Sequence, residues 1–319
     1  MRFKKSFILA SCFITIHLSA QITDKEDKLK KIYTDSTDGW KFSGLTALNI
    51  SQVGLTNWSA GGRSSVALSG IVSLNLDWKE GSSAWNNSLD LGYGILRQGN
   101  GMLLDDGQFL KTDDKIDFFS KYGRKASKKW YYASLLNFNT QSTPGYNYPN
   151  DTIVISRFMA PAYLLGAIGM DYKPNDAFTA FIAPLTMKIT FVNDDSLAHQ
   201  GAYGVMPAEF DDMGQLISKG SKVRTEYGGY LRMMYKKTFM ENVTITSKLS
   251  LFSNYANNPQ NIDVNWENLL ELKVNKFISA TITTHLIYDD DIKITDAKGK
   301  IGPRTQFKEV IGVGFSYKF

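Results

Sequence analysis

Apolar and polar residues alternate along much of the chain with a period of two. In the segment 66–78, apolar side chains occupy every second position, and small or polar ones lie between them. The segments 85–95 and 264–274 repeat the pattern. Because successive side chains of a β-strand point to opposite faces, each segment predicts a strand with one apolar and one polar surface.

The whole chain contains twelve such segments. Each is near or above the roughly 9–11 residues that a tilted strand needs to cross hydrocarbon. The seventh contains Pro184, where the apolar positions change register, and a bulge is expected there because proline donates no ladder hydrogen bond. The predicted strands lie near 40–51, 66–78, 85–95, 115–124, 130–141, 162–172, 177–191, 223–236, 243–254, 264–274, 277–289 and 304–319.

The connections between these strands alternate in length. Brief ones at 79–83, 125–129, 173–176, 237–242 and 275–276 alternate with longer ones at 52–62, 98–114, 142–161, 192–222, 256–262 and 290–303. Short periplasmic turns and longer extracellular loops are typical of bacterial outer-membrane barrels. The pattern therefore predicts an all-β fold, a transmembrane antiparallel β-barrel of about twelve strands.

Aromatic residues gather at the strand ends beside the short turns. Amphipathic rings favour the boundary between membrane and water, so this placement predicts an aromatic girdle. The alternative is the ordinary aromatic content of strands. The residues concerned are Trp78, Trp85, Tyr122, Trp130, Tyr172, Phe178, Tyr235, Tyr317 and Phe319.

The segment 310–319 is a predicted closing strand with apolar or aromatic residues at every second position. Phe315, Tyr317 and Phe319 give it a lipid-facing side, and glycine, serine and lysine form the other side. This ending resembles the signal that barrel-assembly machinery reads during insertion. That machinery is therefore an expected partner.

The N-terminal residues predict export and three regions. A basic start, an apolar run and small residues before Gln21 form a signal peptide over 1–20, with cleavage near Ala20. A short charged segment over 21–39 is expected in the periplasm, followed by the barrel over 40–319. The stretch Leu9-Ala10-Ser11-Cys12 leaves a lipoprotein signal open as an alternative.

Charge and cysteine content narrow the possible partners. The full chain has 36 Lys and Arg and 31 Asp and Glu, so loss of Arg2, Lys4 and Lys5 leaves 33 basic against 31 acidic residues, a net charge of +2. Without a clustered basic face, no nucleic-acid partner is expected. Cleavage also removes the single cysteine, so no disulfide is expected.

The polar faces of the strands predict a lumen that holds both signs of charge. These side chains either pair across strands and close the interior or line a wet pore. The loop 192–222 is a candidate constriction that folds inward. The lumen-facing candidates are Asp77, Asp90, Lys121, Asp171, Glu226, Arg232, Glu267, Glu271, Lys273, His285 and Lys308.

Two features suggest catalysis or cation binding, and each also has a structural interpretation. His285 belongs to no complete catalytic set, because no serine in a nucleophile-elbow context accompanies it, so a lipid hydrolase is disfavoured and a hydrogen-bonded lumen histidine is preferred. The run Asp289-Asp290-Asp291 offers hard oxygen ligands for Ca²⁺ or for divalent bridges to lipopolysaccharide. It matches no Ca²⁺-loop spacing, and a solvated acidic loop is the alternative.

Three stretches resemble a known family. They are the run 49–62 (NISQVGLTNWSAGG), the run 261–267 ending in Val264-Asn265-Trp266-Glu267, and Gln306-Phe307-Lys308-Glu309 before the closing strand. They are similar to the Bacteroidetes family named domain of unknown function 3078. The resemblance implies an outer-membrane barrel and supplies no activity or catalytic residue.

The first of these runs also suggests a structural feature. It lies at the first extracellular turn, where Gly61 and Gly62 permit positive φ angles and a tight re-entry. Either the loop shapes the barrel mouth or it contacts a ligand. The mouth-loop candidates are Gln52, Asn57, Trp58, Gly61 and Gly62.

The sequence therefore favours a non-enzymatic channel or specific uptake porin in the outer membrane, without a cofactor. The alternative is a structural or assembly partner that docks other envelope proteins through its long loops. Outer-membrane lipid and lipopolysaccharide are expected to surround either one.

Overall fold

A computed structural model of the protein describes residues 38–53, 63–99, 108–175, 177–273, 278–295, 300–315 and 317–318. The predicted signal peptide and nearly all of the predicted periplasmic segment lie outside these residues. Among the described residues, none of the helices is long and apolar enough to cross a membrane.

The described residues contain twelve long strands, numbered here in chain order. Each is antiparallel to its neighbours in one sheet, and Tyr317–Lys318 adds a short segment beyond the last. The strands are β1 (Gly39–Val53), β2 (Ser64–Glu80), β3 (Ser83–Gly99), β4 (Phe109–Lys125), β5 (Trp130–Thr140), β6 (Ala162–Tyr172), β7 (Phe178–Phe191), β8 (Val223–Met240), β9 (Val243–Asn254), β10 (Ile262–Lys273), β11 (Ile278–Tyr288) and β12 (Gln306–Phe315).

The sheet closes on itself. Every strand pairs with its sequence neighbours, and β1 also pairs with Tyr317–Lys318, with Leu45 opposite Lys318 and Thr46 opposite Tyr317. Closure lets the two end strands of the sheet pair with each other instead of leaving open edges, which is the condition for a sheet to span hydrocarbon. The predicted antiparallel barrel of twelve strands is confirmed.

Among β1 to β11, three predicted bounds are wrong by four residues or more, and one of them is the end of β3, which continues to Gly99 rather than ending near 95. β4 begins at Phe109 rather than near 115, and β8 continues to Met240 rather than ending near 236. The extra residues of β4 pair with the upper part of β3, where Phe109 lies opposite Arg97. A strand continues as long as the neighbouring strand provides hydrogen-bonding partners. The alternation of residues within one strand therefore does not show where that strand ends.

The connections also follow the predicted parity. Residues 81–82, 126–129 and 241–242 join strands at one end of the barrel, and 141–161, 192–222 and 289–305 join them at the other. The long connections carry secondary structure of their own. The connection after β7 contains the helix α1 (Asp195–His199), a 3₁₀ turn (Ala202–Gly204) and the strand pair Glu209–Phe210 with Leu216–Ser218.

The two faces of the barrel wall differ as the alternation predicts. Large apolar side chains such as Leu76, Leu91 and Ile182 are exposed on the outside, while Asn75 and Asp90 are buried inside. A water-soluble protein buries the first kind and exposes the second. An apolar exterior and a polar interior are instead the pattern of a membrane barrel.

An aromatic row crosses the outer surface near the short turns. Trp40, Trp78, Trp85 and Tyr122 lie opposite one another in turn on β1, β2, β3 and β4. The ring centroid of Trp40 is 6.4 Å from that of Trp78 and 5.9 Å from that of Trp85. The predicted girdle is confirmed on this side of the barrel, where it also includes Trp40.

The predicted bulge at Pro184 is confirmed. On β8, Gly228 lies opposite Thr186 and Tyr230 opposite Ala183, so β7 carries one extra residue there. The same shift occurs against β6, between Ile168 and Met170. The extra residue accommodates a proline without breaking the ladder on either side.

Gly169 on β6 faces this bulge and gives a direct test of it. An added Cβ would meet the Ile182 carbonyl oxygen and lie 2.6 Å from Ala183 Cα. We expect Gly169→Ala to lower the free energy of unfolding in a urea titration by about 2–4 kcal/mol, because rigid backbone must move. Gly166 is the control, since an added Cβ there meets nothing within 4 Å. Equal losses for the two alanine variants would contradict the bulge geometry.

Candidate functional site

The extracellular half of the barrel interior holds a chamber of about 720 Å³. Its walls come from β4 to β12 and from the connections after β5, β7 and β11. Amide, hydroxyl, aromatic and charged side chains line it together. Among the lining residues are Asp117, Phe119, Asn137, Asn139, Tyr163, Lys188, Tyr203, Tyr230, Arg232, Lys248, Phe252, Asp263, Asn265, Glu267, His285 and Asp289.

Lys188 is the centre of the charge network in the chamber wall. Its Nζ lies 2.8 Å from Asp263 Oδ2, 3.5 Å from Asp289 Oδ2 and 3.7 Å from Glu226 Oε2. Arg224 binds the other oxygen of Glu226 at 3.0 Å. The two cations therefore offset only part of the negative charge of the carboxylates around them.

Arg224 ties this network to the loop above it. Its guanidinium pairs with Asp291 and donates to the Gly204 carbonyl oxygen at 3.2 Å. β8 and the connections after β7 and β11 are therefore joined at the barrel mouth. The long loop is held in place by charge as well as by packing.

Cations also stack on aromatic rings along the chamber. The Arg232 guanidinium lies 5.7 Å from the Phe119 ring centroid, and Lys188 Nζ lies 5.1 Å from that of Phe252. Such contacts stabilise a cation in a low-dielectric site. They leave flat apolar surfaces and fixed charges facing the same space.

The connection after β7 forms the roof of the chamber. Leu197 and Ala198 of α1 pack with Val205, Ala160 and Val192 in a small buried cluster. The Asp194 side chain caps α1 by accepting from the Leu197 backbone N–H at 2.9 Å. The predicted inward fold of this loop is therefore seen over part of its length.

Tyr203 is the roof residue that reaches the chamber. It has a positive φ of 60°, and its hydroxyl donates to the Ile155 carbonyl oxygen at 2.6 Å. Burial raises the pKa of Tyr203 to about 12. The phenol therefore stays a neutral hydrogen-bond donor at physiological pH.

Below the chamber the interior is packed with side chains. Asp171 is 1 % exposed and is bound by Lys121 Nζ at 2.6 Å, with Lys173 Nζ at 3.6 Å. Lys121 also lies 4.7 Å from the ring centroid of Phe181. We call Lys121, Asp171, Lys173 and Phe181 the packed layer. It lies beside the short turns, on the periplasmic side of the chamber.

The other inward acids on this side accept hydrogen bonds from neighbouring strands. Asn86 donates to Asp77 at 2.9 Å, and the Ser73 hydroxyl donates to Asp90 at 2.5 Å. Asp90 is 2 % exposed. These contacts satisfy hydrogen-bonding positions of the buried carboxylates.

The remaining predicted lumen residues lie in less buried places. Glu267 and His285 line the chamber, where His285 Nε2 is 2.9 Å from Asn265 Oδ1 and 3.8 Å from Glu267 Oε1. Glu271 is half-buried, and Lys273 is exposed at the end of β10. Lys308, Phe315 and Tyr317 are described in their backbone only.

The mouth-loop candidates and one assembly candidate fall where the structure gives no description. Asn57, Trp58, Gly61, Gly62 and Phe319 lie outside the described residues. Gln52 is the exception, because its backbone is described within β1. The ligand-contact and mouth-shaping hypotheses for this loop stay predictions.

The acidic run Asp289-Asp290-Asp291 does not act as one group. Asp289 and Asp290 instead approach Asp263, with carboxylate oxygens within 4.8 Å of one another. Asp291 turns away to Arg224, and Asn261 donates to Asp290 at 2.6 Å. Lys188 offsets part of the negative charge of this group through Asp263 and Asp289.

Sequence reasoning missed the apolar residues that face inward. Phe119, Leu135 and Phe181 form a buried cluster with three alanines on the inner wall, and Met234 is 2 % exposed. A residue two positions from an inward charge lies on the same face of its strand, so Phe119, two residues from Lys121, was predictable as inward. Adjacent Phe118 and Phe119 hide that signal, because both faces then carry an aromatic ring.

A closed antiparallel barrel with an apolar exterior, a girdle and a polar interior is an integral outer-membrane β-barrel. Within that class, residues 50–146 match the family model described as "Protein of unknown function (DUF3078)". The family resemblance predicted from the sequence is confirmed over this part of the chain, from the end of β1 to the loop after β5.

Comparison with solved structures finds other barrels of this kind. An outer membrane channel from Pseudomonas putida F1 is 10% identical over 89% of this chain and 96% of that one, with a TM-score of 0.41. The translocator domain of the autotransporter NalP from Neisseria meningitidis is 10% identical over 97% and 100%, with a TM-score of 0.38. The toluene transporter TodX from P. putida is 13% identical over 89% and 80%, with a TM-score of 0.35. No curated protein matches the chain.

Proposed function

We propose that the protein is a non-enzymatic outer-membrane channel or specific uptake protein that takes small polar solutes into the lumen chamber. The observation that carries this proposal is the chamber itself. At about 720 Å³ it falls within the roughly 300–1,000 Å³ of small-molecule sites. It lies on the side of the long loops, so solutes enter it from outside the cell.

The lining indicates the solutes that the chamber favours. Lys188 and Arg232 face Asp263 and Glu267 within one space, so neither sign of ion is preferred. Amides such as Asn137 offer both donors and acceptors. Neutral or zwitterionic solutes with several hydrogen-bonding groups match this surface best.

The packed layer argues for specific uptake rather than an open pore. The Lys121–Asp171 pair and the residues around it occupy the interior between the chamber and the periplasm. Passage therefore requires movement of side chains. A barrel built this way holds a solute before it releases it.

Tyr203 offers the test of entry. We expect Tyr203→Ala to raise the swelling rate of proteoliposomes in small sugars or amino acids severalfold, because the ring forms part of the chamber roof. Met206→Ala is the control, since Met206 belongs to the same loop but is exposed. Single-channel recordings in planar bilayers provide the second readout.

The proposal fails if the purified protein neither conducts ions nor admits any solute with its loops intact. Equal swelling rates for Tyr203→Ala and Met206→Ala would show that the Tyr203 ring does not restrict entry of solutes into the chamber.

One observation favours the alternative of a structural or assembly partner. The hairpin formed by Glu209–Phe210 and Leu216–Ser218 carries exposed apolar side chains, namely Phe210, Met213, Leu216 and Ile217. Exposed apolar patches on loops are typical of docking surfaces. An electrically silent barrel whose hairpin binds another envelope protein would support this alternative.

Export by the signal peptide and insertion by barrel-assembly machinery complete the proposal. N-terminal sequencing of the mature protein is expected to begin at or near Gln21. A lipid-modified Cys12 would instead support the lipoprotein alternative.

A further inference from the structure

A groove of about 650 Å³ runs over the outer surface of β3, β4 and β5. Its wall on the periplasmic side is the aromatic row that ends at Trp85 and Tyr122. The next position in that row is Ser134 on β5, opposite Tyr122. A small side chain thus follows a series of large rings, which opens the groove at this point.

On β3 and β4, the row above the aromatic rings is polar. Asn87 on β3 lies opposite Ser120 on β4. Trp85 Nε1 donates to Ser120 Oγ at 2.9 Å, and Ser120 Oγ donates to Asn87 Oδ1 at 2.7 Å. These groups bond to one another, so hydrocarbon covers them at less cost than it would unpaired polar groups.

A basic turn lies directly beneath the groove. Residues 124–129 read Arg-Lys-Ala-Ser-Lys-Lys, and all of them are exposed. Arg124 follows Tyr122 by two residues on β4 and therefore points outward, opposite Tyr132. In the part of the chain that the structure describes, Arg124, Lys125, Lys128 and Lys129 have no carboxylate within ion-pair distance.

We propose that this groove and turn form a site for an anionic phospholipid of the periplasmic leaflet. An acyl chain lies in the groove over Ser120 and Ser134, against the rings of Trp85 and Tyr122. The phosphate lies beside Arg124 and the turn lysines, where charge-assisted hydrogen bonds hold it. Juxtamembrane cations attract anionic lipid strongly enough for a selective site.

The position of the turn decides the kind of lipid. It is one of the short connections, which face the periplasm, so the cations lie at the leaflet made of phospholipid. The site does not depend on what the lumen carries. The lipid site goes beyond the proposed function, and its test is independent of the transport measurements.

Quenching of tryptophan fluorescence by brominated lipid tests the site. The full mature barrel is reconstituted in phosphatidylcholine vesicles with a small fraction of either brominated phosphatidylglycerol or brominated phosphatidylcholine. We expect the anionic quencher to act several times more strongly, because it concentrates beside Trp85. Arg124→Gln/Lys128→Gln is expected to remove most or all of that preference, because each cation attracts anionic lipid by up to about fivefold.

Two matched controls separate the site from general effects. Lys219→Gln/Lys293→Gln removes two exposed cations from the long loops and is expected to keep the preference. Ser134→Phe fills the groove and is expected to weaken quenching by the anionic lipid, whereas Leu185→Phe on the outer face of β7 is not. Each variant is first shown to unfold in urea like the wild type.

Equal quenching by the two lipids in the wild type would overturn the proposal. So would a preference that the turn and loop variants lose to the same extent, because bulk charge would then explain it.

Discussion

Replacing Asp171 by alanine is expected to lower the free energy of unfolding of the barrel by about 3–5 kcal/mol, the typical cost of removing one partner from a buried ion pair. Its carboxylate is 1 % exposed and lies 2.6 Å from Lys121 Nζ and 3.6 Å from Lys173 Nζ. Without it, two ammonium groups face each other in the barrel interior. Lys121 is the more costly of the two, because its residue is 8 % exposed and it lies within β4.

A urea titration of the barrel in lipid vesicles, followed by tryptophan fluorescence, measures this loss. Asp195→Ala is the matched control, because Asp195 also pairs with a lysine at 2.8 Å but on the exposed surface of a loop. No measurable shift is expected for it, since water screens that pair. The double variant Asp171→Ala/Lys121→Met is expected to recover part of the loss.

The same substitution has a consequence for transport. The two remaining cations repel each other, which loosens the packed layer and places positive charge in the path to the periplasm. Ionic current through Asp171→Ala in planar bilayers is therefore expected to exceed that of the wild type and to favour anions. A variant with the stability and the ionic current of the wild type would show that this pair does not close the barrel.

The strands and their two faces are predictable from the sequence because hydrocarbon imposes a local rule. Every outward position between the girdles meets lipid, so Leu76, Leu91 and Ile182 follow a period of two whatever lies across the barrel. The bulge is also local. Pro184 removes a donor from the ladder, and the change of register around it is visible in β7 alone.

The interior is less predictable because its contacts are not local. Lys188 and Asp263 are 75 residues apart in sequence, and Arg224 and Asp291 are 67 apart. The alternation predicts that such side chains face the lumen, but it does not predict which of them form ion pairs. The inward position of Phe119 is hidden for a related reason, since an aromatic ring suits a packed interior as well as a lipid surface.

The basic turn shows how a correct assignment still leaves function out. The sequence predicts a short connection at 125–129. In the structure the connection between β4 and β5 comprises residues 126–129, one residue fewer. The cations of this turn suggest a lipid site only because the outer groove lies next to them. That groove depends on the register of three strands, which places Ser120 and Ser134 next to the aromatic row.

Replacing Lys188 by glutamine is expected to make the stability of the barrel depend on calcium. The variant leaves Asp263, Asp289 and Glu226 without their central cation, so unfolding in EDTA is expected to cost about 3–5 kcal/mol less than in the wild type. Carboxylate oxygens of Asp263, Asp289 and Asp290 already lie within 4.8 Å of one another. A divalent cation fits the place that the ammonium group vacates.

Urea titrations in EDTA and in 10 mM CaCl₂ measure the effect. A site with a dissociation constant of about 1 mM would restore about 1.4 kcal/mol at that concentration. The wild type is expected to show no such difference, because the Lys188 ammonium group already occupies the place between these acids. Lys115→Gln is the control, since Lys115 lines the same chamber but pairs with the single carboxylate of Asp117 at 3.2 Å. If calcium stabilised all three proteins alike, it would be acting on the surface, and Lys188 would not be the cation that holds these carboxylates together.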